Sequence, residues 1–397
     1  MRYLHITSSA QAENELKKVG ADRPGIDAMI PKMENVNLLL EGIECKIANI
    51  LKQEMLSIGG DIAVARGSVS CSIDRTDAII IGSLKQVRKL ADKIALQPFT
   101  LRDISEDIRK VLDNIVRDAF VLRTPKRKII VGGRTLVMGI LNMTPDSFSD
   151  GGMFDGVEDA VKYALKMEEN GADIIDIGGE SSRPGSEPVS ANDELDRVIP
   201  LIKKLQGLLS IPISIDTIKA DVAHRALEAG AEMVNDISAM RFDAKMPGVV
   251  ADCRVPVVLM HMRGAPGTMQ DGDLSYQSLM GEIIGFLKES IENAVSAGVD
   301  IENIVVDPGI GFGKSTADNI AILRHLKELK SLGRPIMVGT SRKKFTGEIT
   351  GEKFPENRVE GTAASVAASI MSGADIVRVH DAGFMKKLSG MVDEIKR

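Results

Sequence analysis

The sequence predicts an α/β protein: a (β/α)8 barrel preceded by a small N-terminal domain of α/β or α+β type. Three observations carry this. From residue 136 onward, eight short apolar, β-branched runs recur, each followed by glycine or polar residues and then a helical stretch. Their near-continuous hydrophobicity is what strands buried on both faces require. The chain also has 397 residues, well beyond the roughly 250 that one barrel uses, and the surplus lacks the barrel rhythm.

In order, the runs are LVMGILN (136–142), DIIDIGG (173–179), PISIDT (212–217), AEMVNDIS (231–238), PVVLMHM (256–262), NIVVDPG (303–309), PIMVGTS (335–341) and DIVRVHD (375–381). Amphipathic segments such as DAVKYALKMEEN (159–170) and KADVAHRALEAG (219–230) fill the intervals, the second closing on Gly230 as a C′ glycine. Eight parallel strands close naturally into a barrel. Ahead of the first run, KIIVGGRTLV reads as a hairpin turning at Gly132-Gly133, suited to plugging the barrel's bottom.

Residues 1–123 are expected to be the N-terminal domain and 124–397 the barrel, joined by the basic, proline-bearing RTPKRK (123–128). Within the first part, CKIANILKQEMLSIGG, LKQVRKLADKIALQ and LRDISEDIRKVLDNIVRDAF read as helices, and DIAVARG and TDAIIIGS as strands. Asp74, Arg75, Thr76 and Asp77 read as a solvated turn between strands. No catalytic motif stands out in this part.

Composition narrows the function classes. With 44% hydrophobic and 27% charged residues, the chain can build a core and is not broadly disordered. A net charge of −6 argues against a general polyanion binder. Cys45, Cys71 and Cys253 are spaced for neither a disulfide framework nor a zinc site. The five histidines form no HExxH pattern, and His224 and His325 fall inside helical patterns. No run approaches the about 18 apolar residues that span a bilayer, and no secretory leader is seen, so a cytoplasmic protein is expected.

Barrel chemistry sits at the C-terminal ends of the strands. Asn142, Asp216, Asn235 with Asp236, His261, Asp307, Ser341 and the pair Arg378/His380 stand there. A carboxylate directly after an apolar run, as Asp216 and Asp307 are, is costly to desolvate unless it meets a partner. Arg378 and His380 lie two apart in a strand and share a face, with Val379 on the other; an inward Arg–His pair asks for an anion, the alternative being a structural salt bridge. The loops NMTPDSFSDGGMF (142–154), carrying Phe148, and GGESSRPGSEP (178–188) are rich in turn formers and suit mobile lids. Arg183, Lys343 and Arg378 place positive charge around the mouth, which fits a phosphate or diphosphate. DPGIGFGKS (307–315) approaches a P-loop but has Pro308 where that loop needs glycine, and proline has no N–H to offer a phosphate. Its glycines are expected to turn the backbone after Asp307 and present Phe312. A magnesium ion held mainly by substrate phosphates needs one or two protein oxygens, for which Asn142 and Asp150 are candidates.

Taken in order, NMTPDSFSDGG, ESSRPGS, SIDT, NDIS, LMHMRG, DPGIGFGK, GTSRKKF and RVHD resemble the dihydropteroate synthase family, from about residue 128 to the C-terminus. The resemblance implies a (β/α)8 transferase of folate biosynthesis. Such enzymes join 6-hydroxymethyl-7,8-dihydropterin diphosphate to p-aminobenzoate in an SN1-like substitution, releasing diphosphate. It implies pterin contacts from Asp216, Asn235, Met260, Asp307, Lys343 and Arg378. Asn142, Arg378 and His380 would hold the diphosphate, with Mg2+ on Asn142. Phe148, Ser182, Arg183, Pro184, Phe312 and Lys343 would form the p-aminobenzoate pocket, where sulfonamides compete. Asp150, Arg183, Lys343, Arg378 and His380 would be the catalytic set, and the protein a homodimer. Ser182 stands where threonine is common, and Lys344 where serine often follows the lysine. The rival readings are a methyltetrahydrofolate methyltransferase working with a corrinoid partner and a non-catalytic pterin-binding regulator; all three loop motifs TPDSFSDGG, SRPG and SRKKF favour the synthase. Nothing in residues 1–123 separates a regulatory module from an aid to oligomerisation.

Overall fold

A computed structural model describes the chain except residues 5, 7, 99, 144–155, 182–187, 265–268, 270–273 and 397. It divides into two compact units, Met1–Val116 and Arg117–Arg397.

The first unit runs α1 (Ser9–Lys18), α2 (Arg23–Met33), β1 (Asn35–Glu44), α3 (Cys45–Leu56), β2 (Asp61–Val64), β3 (Arg75–Ser83), α4 (Leu84–Ile94) and α5 (Leu101–Val116). Its three strands form an antiparallel sheet in the order β1-β3-β2, so the unit is α+β. Alternation along β3 turns Ala78 and Ile80 inward against Leu51, Met55, Leu90 and Leu112 of the helices. Helix α4 starts at a Ser83–Gln86 capping box, which satisfies its first free N–H groups. The Asp74–Asp77 segment is not simply a turn. Arg75 and Asp77 lie in β3, where Arg75 Nη1 donates to the Gly42 carbonyl at 2.6 Å and Asp77 Oδ1 accepts from the Gly42 N–H at 2.8 Å. Both bonds latch the β1 bulge between Leu40 and Ile43.

The second unit opens with β4 (Phe120–Arg123) and β5 (Lys128–Val131), an antiparallel hairpin whose register pairs Arg123 with Lys128. This corrects two expectations. RTPKRK is the turn of that hairpin rather than a linker, and KIIV pairs with the preceding strand rather than folding back at Gly132-Gly133. Gly132 instead makes the exit from the hairpin: its φ is +113°, and a β-carbon there would lie 1.7 Å from the Asp118 carbonyl oxygen. The hairpin does plug the barrel. Phe120, Leu122, Ile129 and Val131 pack on Leu136, Ile174, Met233, Val258, Val305, Met337 and Ile376, which start the barrel strands.

The barrel follows as β6 (Leu136–Asn142), α6 (Val157–Glu169), β7 (Ile174–Gly178), α7 (Ala191–Leu205), β8 (Ile213–Asp216), α8 (Ala220–Ala229), β9 (Met233–Asp236), α9 (Met246–Cys253), β10 (Val257–Met260), α10 (Leu279–Ser296), β11 (Ile304–Asp307), α11 (Thr316–His325), β12 (Met337–Val338), α12 (Lys344–Thr350), α13 (Val359–Met371), β13 (Ile376–Val379) and α14 (Ala382–Lys396). All eight predicted runs are parallel strands in one sheet, and a Val306–Ile336 bridge joins its two ends into a barrel.

Two-residue periodicity then sorts every strand. Val137, Ile175, Ile177, Ile215, Val234, Leu259, Val306, Val377 and Val379 face outward into the helical layer. The inward positions begin with the apolar residues that meet the hairpin and end, toward the C-terminal ends of the strands, with Asn142, Asp176, Asp216, Asn235, Met260, Asp307 and Arg378. Apolar floor and polar mouth are thus two layers of one alternation.

Candidate active site

Arg378 occupies the centre of the mouth. Its Nε donates to Asp176 Oδ2 and its Nη2 to Asp216 Oδ2, both at 2.6 Å. Asn235 Nδ2 donates to the same Asp176 oxygen at 3.0 Å. Asp176, Asn235 and Asp307 are buried, and Asp176 Oδ1 and Asn235 Oδ1 have no partner within the protein. Buried, unpaired acceptors of this kind are costly unless a ligand supplies donors.

On the opposite side, Asp307 Oδ1 accepts from the Gly309 N–H at 2.6 Å. Lys343 Nζ donates to the Ile310 carbonyl and sits 4.3 Å from the centroid of the Phe312 ring. A strained turn aims this lysine inward. Arg342 has φ +58°, its N–H donates to Thr362 Oγ1 at 3.0 Å, and its guanidinium pairs with Asp381 at 2.8 Å. Lys343 then caps α12. Phe312 packs with Met260, Met262, Met269 and Ile237 into an apolar wall beside the polar ring. Asn142 ends β6, and a β-carbon built on Gly178 would lie 3.5 Å from both Asn142 Oδ1 and Asp216 Cβ, so these two side chains flank one bare glycine.

His380 is oriented by Ser341. The serine Oγ accepts from the His380 backbone N–H at 3.2 Å and lies 2.9 Å from Nδ1. With the hydroxyl proton directed to Nδ1, the ring proton sits on Nε2, which becomes a donor.

Burial dominates the electrostatics. It pushes Asp216 up to about 7 against the opposing pull of Arg378, and raises Asp307 despite the Gly309 N–H. It draws Lys343 down to about 8, with Asp307 opposing. Groups on both sides of the mouth therefore change charge near neutrality.

The structure brings together Asp216, Asn235, Met260, Asp307, Phe312, Lys343 and Arg378, with Asn142 beside Asp216 and His380 on Ser341. Phe148, Asp150, Ser182, Arg183 and Pro184 lie outside the described residues. Sequence reasoning missed Asp176, although it is the charged residue inside the otherwise apolar IIDIG strand. It also set His261 among the mouth residues, whereas the ring is buried and Lys314 Nζ lies 2.9 Å from its Nδ1. Lys344 points away: its side chain is 87% exposed and pairs with Glu348.

The floor-and-mouth layering and the inward cationic centre define a (β/α)8 barrel with a polar, charged mouth at the C-terminal ends of its strands. Residues 138–380 match the family of pterin binding enzymes. The dihydropteroate synthase of Synechocystis is 50% identical over 266 residues, covering 67% of this chain and 92% of that protein. A probable bifunctional folylpolyglutamate synthase/dihydropteroate synthase of Halobacterium salinarum is 40% identical over 376 residues, covering 95% of this chain and 45% of that protein; this second likeness reaches into the first unit. The structure of Xanthomonas albilineans dihydropteroate synthase with 4-aminobenzoic acid superposes with a TM-score of 0.64 at 45% identity, covering 69% of this chain and 97% of that one. The chain belongs to the dihydropteroate synthase family of pterin-binding enzymes, which are transferases of folate biosynthesis.

Proposed function

We propose that this chain condenses 6-hydroxymethyl-7,8-dihydropterin diphosphate with p-aminobenzoate, and that the described side chains divide the work as follows. Asp216, Asn235 and Asp307 accept the N–H edge of the pterin, and Lys343 donates to its carbonyl or N5. Met260 and the flat face of Arg378 cover the ring. Arg378 and the Nε2 donor of His380 meet the diphosphate. Phe312 and the methylene stem of Lys343 form one wall of the p-aminobenzoate pocket. Phe148, Asp150, Ser182, Arg183 and Pro184 keep the roles that the resemblance implies. The observation that carries this reading is the pair of unpartnered acceptors, Asp176 Oδ1 and Asn235 Oδ1, buried beside Arg378.

An aniline nitrogen is already unprotonated at neutral pH, so no strong base is needed. Fixed positive charge at Arg378 stabilises the departing diphosphate, and the electron-rich pterin supports the cation that develops at its exocyclic methylene. Excluding water protects that cation. The donor set fits Mg2+. The ion would rest on the Asn142 amide oxygen, with Asp150 the other candidate, and on diphosphate oxygens. When bound it would neutralise charge on the leaving group. Lys344 contributes main chain only, since its side chain faces solvent, and sulfonamides compete with p-aminobenzoate.

A homodimer is the assembly we favour. Met371 on α13 and Phe384, Met391 and Ile395 on α14 are exposed, and the α14 residues fall on one helical face beside the buried face of Met385, Ser389 and Val392. No helix among the described residues is long and apolar enough to cross a membrane, and we place the enzyme in the cytoplasm. The reading is tested by incubating the full chain with both substrates and Mg2+. One diphosphate released per 7,8-dihydropteroate formed is expected; absence of product would overturn it.

A further inference from the structure

We propose that Lys314 is a positioning residue that braces the turn after β11 against the end of β10, and so holds Phe312 at the p-aminobenzoate site. This rests on the reading of the mouth given above. The lysine closes the glycine-rich DPGIGFGK run, where a P-loop lysine would reach out to phosphate. Here it turns inward and is 3% exposed. Its Nζ lies 2.9 Å from His261 Nδ1, 2.9 Å from the Gly309 carbonyl oxygen and 3.0 Å from the Phe312 carbonyl oxygen, with the His261 carbonyl oxygen at 3.3 Å. An ammonium has three protons, so one group saturates its donors on two consecutive strand exits.

The surrounding backbone needs such a brace. Gly309, Gly311 and Gly313 all have positive φ, and glycine loses the most conformational freedom on ordering. Gly309 packs so closely under His261 that a β-carbon would come 2.0 Å from the His261 carbonyl oxygen. His261 is held in turn by the edge of the Phe286 ring, with centroids 4.9 Å apart. Lys343 grips the same turn from the mouth side, through the Ile310 carbonyl and the Phe312 ring. Two lysines thus clamp residues 309–312 from opposite sides. Lys343 faces substrate and Lys314 does not. Burial lowers the Lys314 pKa to about 7, with Asp307 opposing, as befits a lysine kept from water.

The test uses the full chain. Lys314→Met is expected to raise the KM for p-aminobenzoate at least tenfold and that for the pterin diphosphate by less, because Phe312 sits on the braced turn while Asp307 and Lys343 meet it only through Gly309 and Ile310. Lys314→Arg should not restore the KM, since a guanidinium cannot fit the ammonium's place. His261→Leu, which removes the Nδ1 acceptor, should raise the same KM about threefold. Should the Met variant fail to fold, the 15Nζ spectrum of the wild-type chain decides. Below a pH of about 7, where Lys314 is charged, a braced ammonium shows slowly exchanging Nζ protons, and exchange as fast as that of exposed lysines overturns the proposal. A folded Lys314→Met variant with an unchanged KM also overturns it. Wild-type turnover separates either result from failure of the synthase reading.

Discussion

Arg378 and Asp176 are joined by a 2.6 Å hydrogen bond between Nε and Oδ2, and the same carboxylate oxygen receives Asn235 Nδ2 at 3.0 Å. One oxygen therefore orients both the cationic centre and a pterin-facing amide. Breaking a buried pair by removing one charge costs about 3 kcal/mol or more. Asp176→Asn is expected to lower stability by about that amount and kcat/KM by roughly 100-fold. Denaturant unfolding and steady-state kinetics check it; a variant near wild type in both would remove Asp176 from the account.

The pH dependence has a defined sign. Asp216, raised to about 7, is protonated below that pH, losing its charge and turning one acceptor oxygen into an O–H donor. Lys343, lowered to about 8, loses its proton above that pH. The proposed roles need Asp216 ionised and Lys343 charged, so kcat/KM is expected to follow a narrow bell with limbs near 7 and 8. Lys343→Arg should remove the alkaline limb whatever activity it retains. An unaltered alkaline limb in that variant contradicts the assignment.

In the proposed reading, Ser341 acts on the diphosphate through His380, which it contacts at Nδ1 and at the backbone N–H. Ser341→Ala frees Nδ1 and the ring tautomer, a loss of about 1 kcal/mol, or roughly fivefold in affinity. Titration calorimetry should show that loss for the pterin diphosphate and none for the pterin alcohol lacking the diphosphate. Equal losses for both would place Ser341 elsewhere in the binding energy.

The hairpin belongs to the barrel's fold. A chain beginning at Arg117 should unfold cooperatively with the stability of the second unit, whereas one beginning at Thr124 loses β4 and uncovers the barrel floor. Gly132→Ala, forced into a positive φ against Asp118, should cost about 3 kcal/mol in the full chain. Thermal unfolding of these chains tests the point, and a stable chain from Thr124 would refute it.

The barrel strands were legible because strands buried on both faces read as continuous apolar runs ending in a polar residue. KIIV was legible as a strand, but its partner was not: the glycine pair after it is a stronger turn signal than TPKR before it. β1 went unseen because Asn37, Glu41 and Gly42 interrupt its apolar run, which then lacks the continuity of a buried strand. At the mouth, Asp216, Asp307 and Arg378 showed themselves as charges at strand ends. Asp176 lies mid-strand, where only the inward alternation reveals that it faces Arg378. Lys314 and His261 could not be paired from sequence, since their contact depends on how closely two strand exits pack.

The ring of Asp216, Asn235, Asp307 and Lys343 around Arg378 is the centre of the account, and pterin binding tests it directly. Titration calorimetry of the pterin diphosphate into the wild-type chain and into Asp216→Asn should show at least 100-fold weaker binding by the variant, about 3 kcal/mol, with the fold retained. Undiminished binding by a folded Asp216→Asn chain would contradict the assignment of this ring as the pterin site.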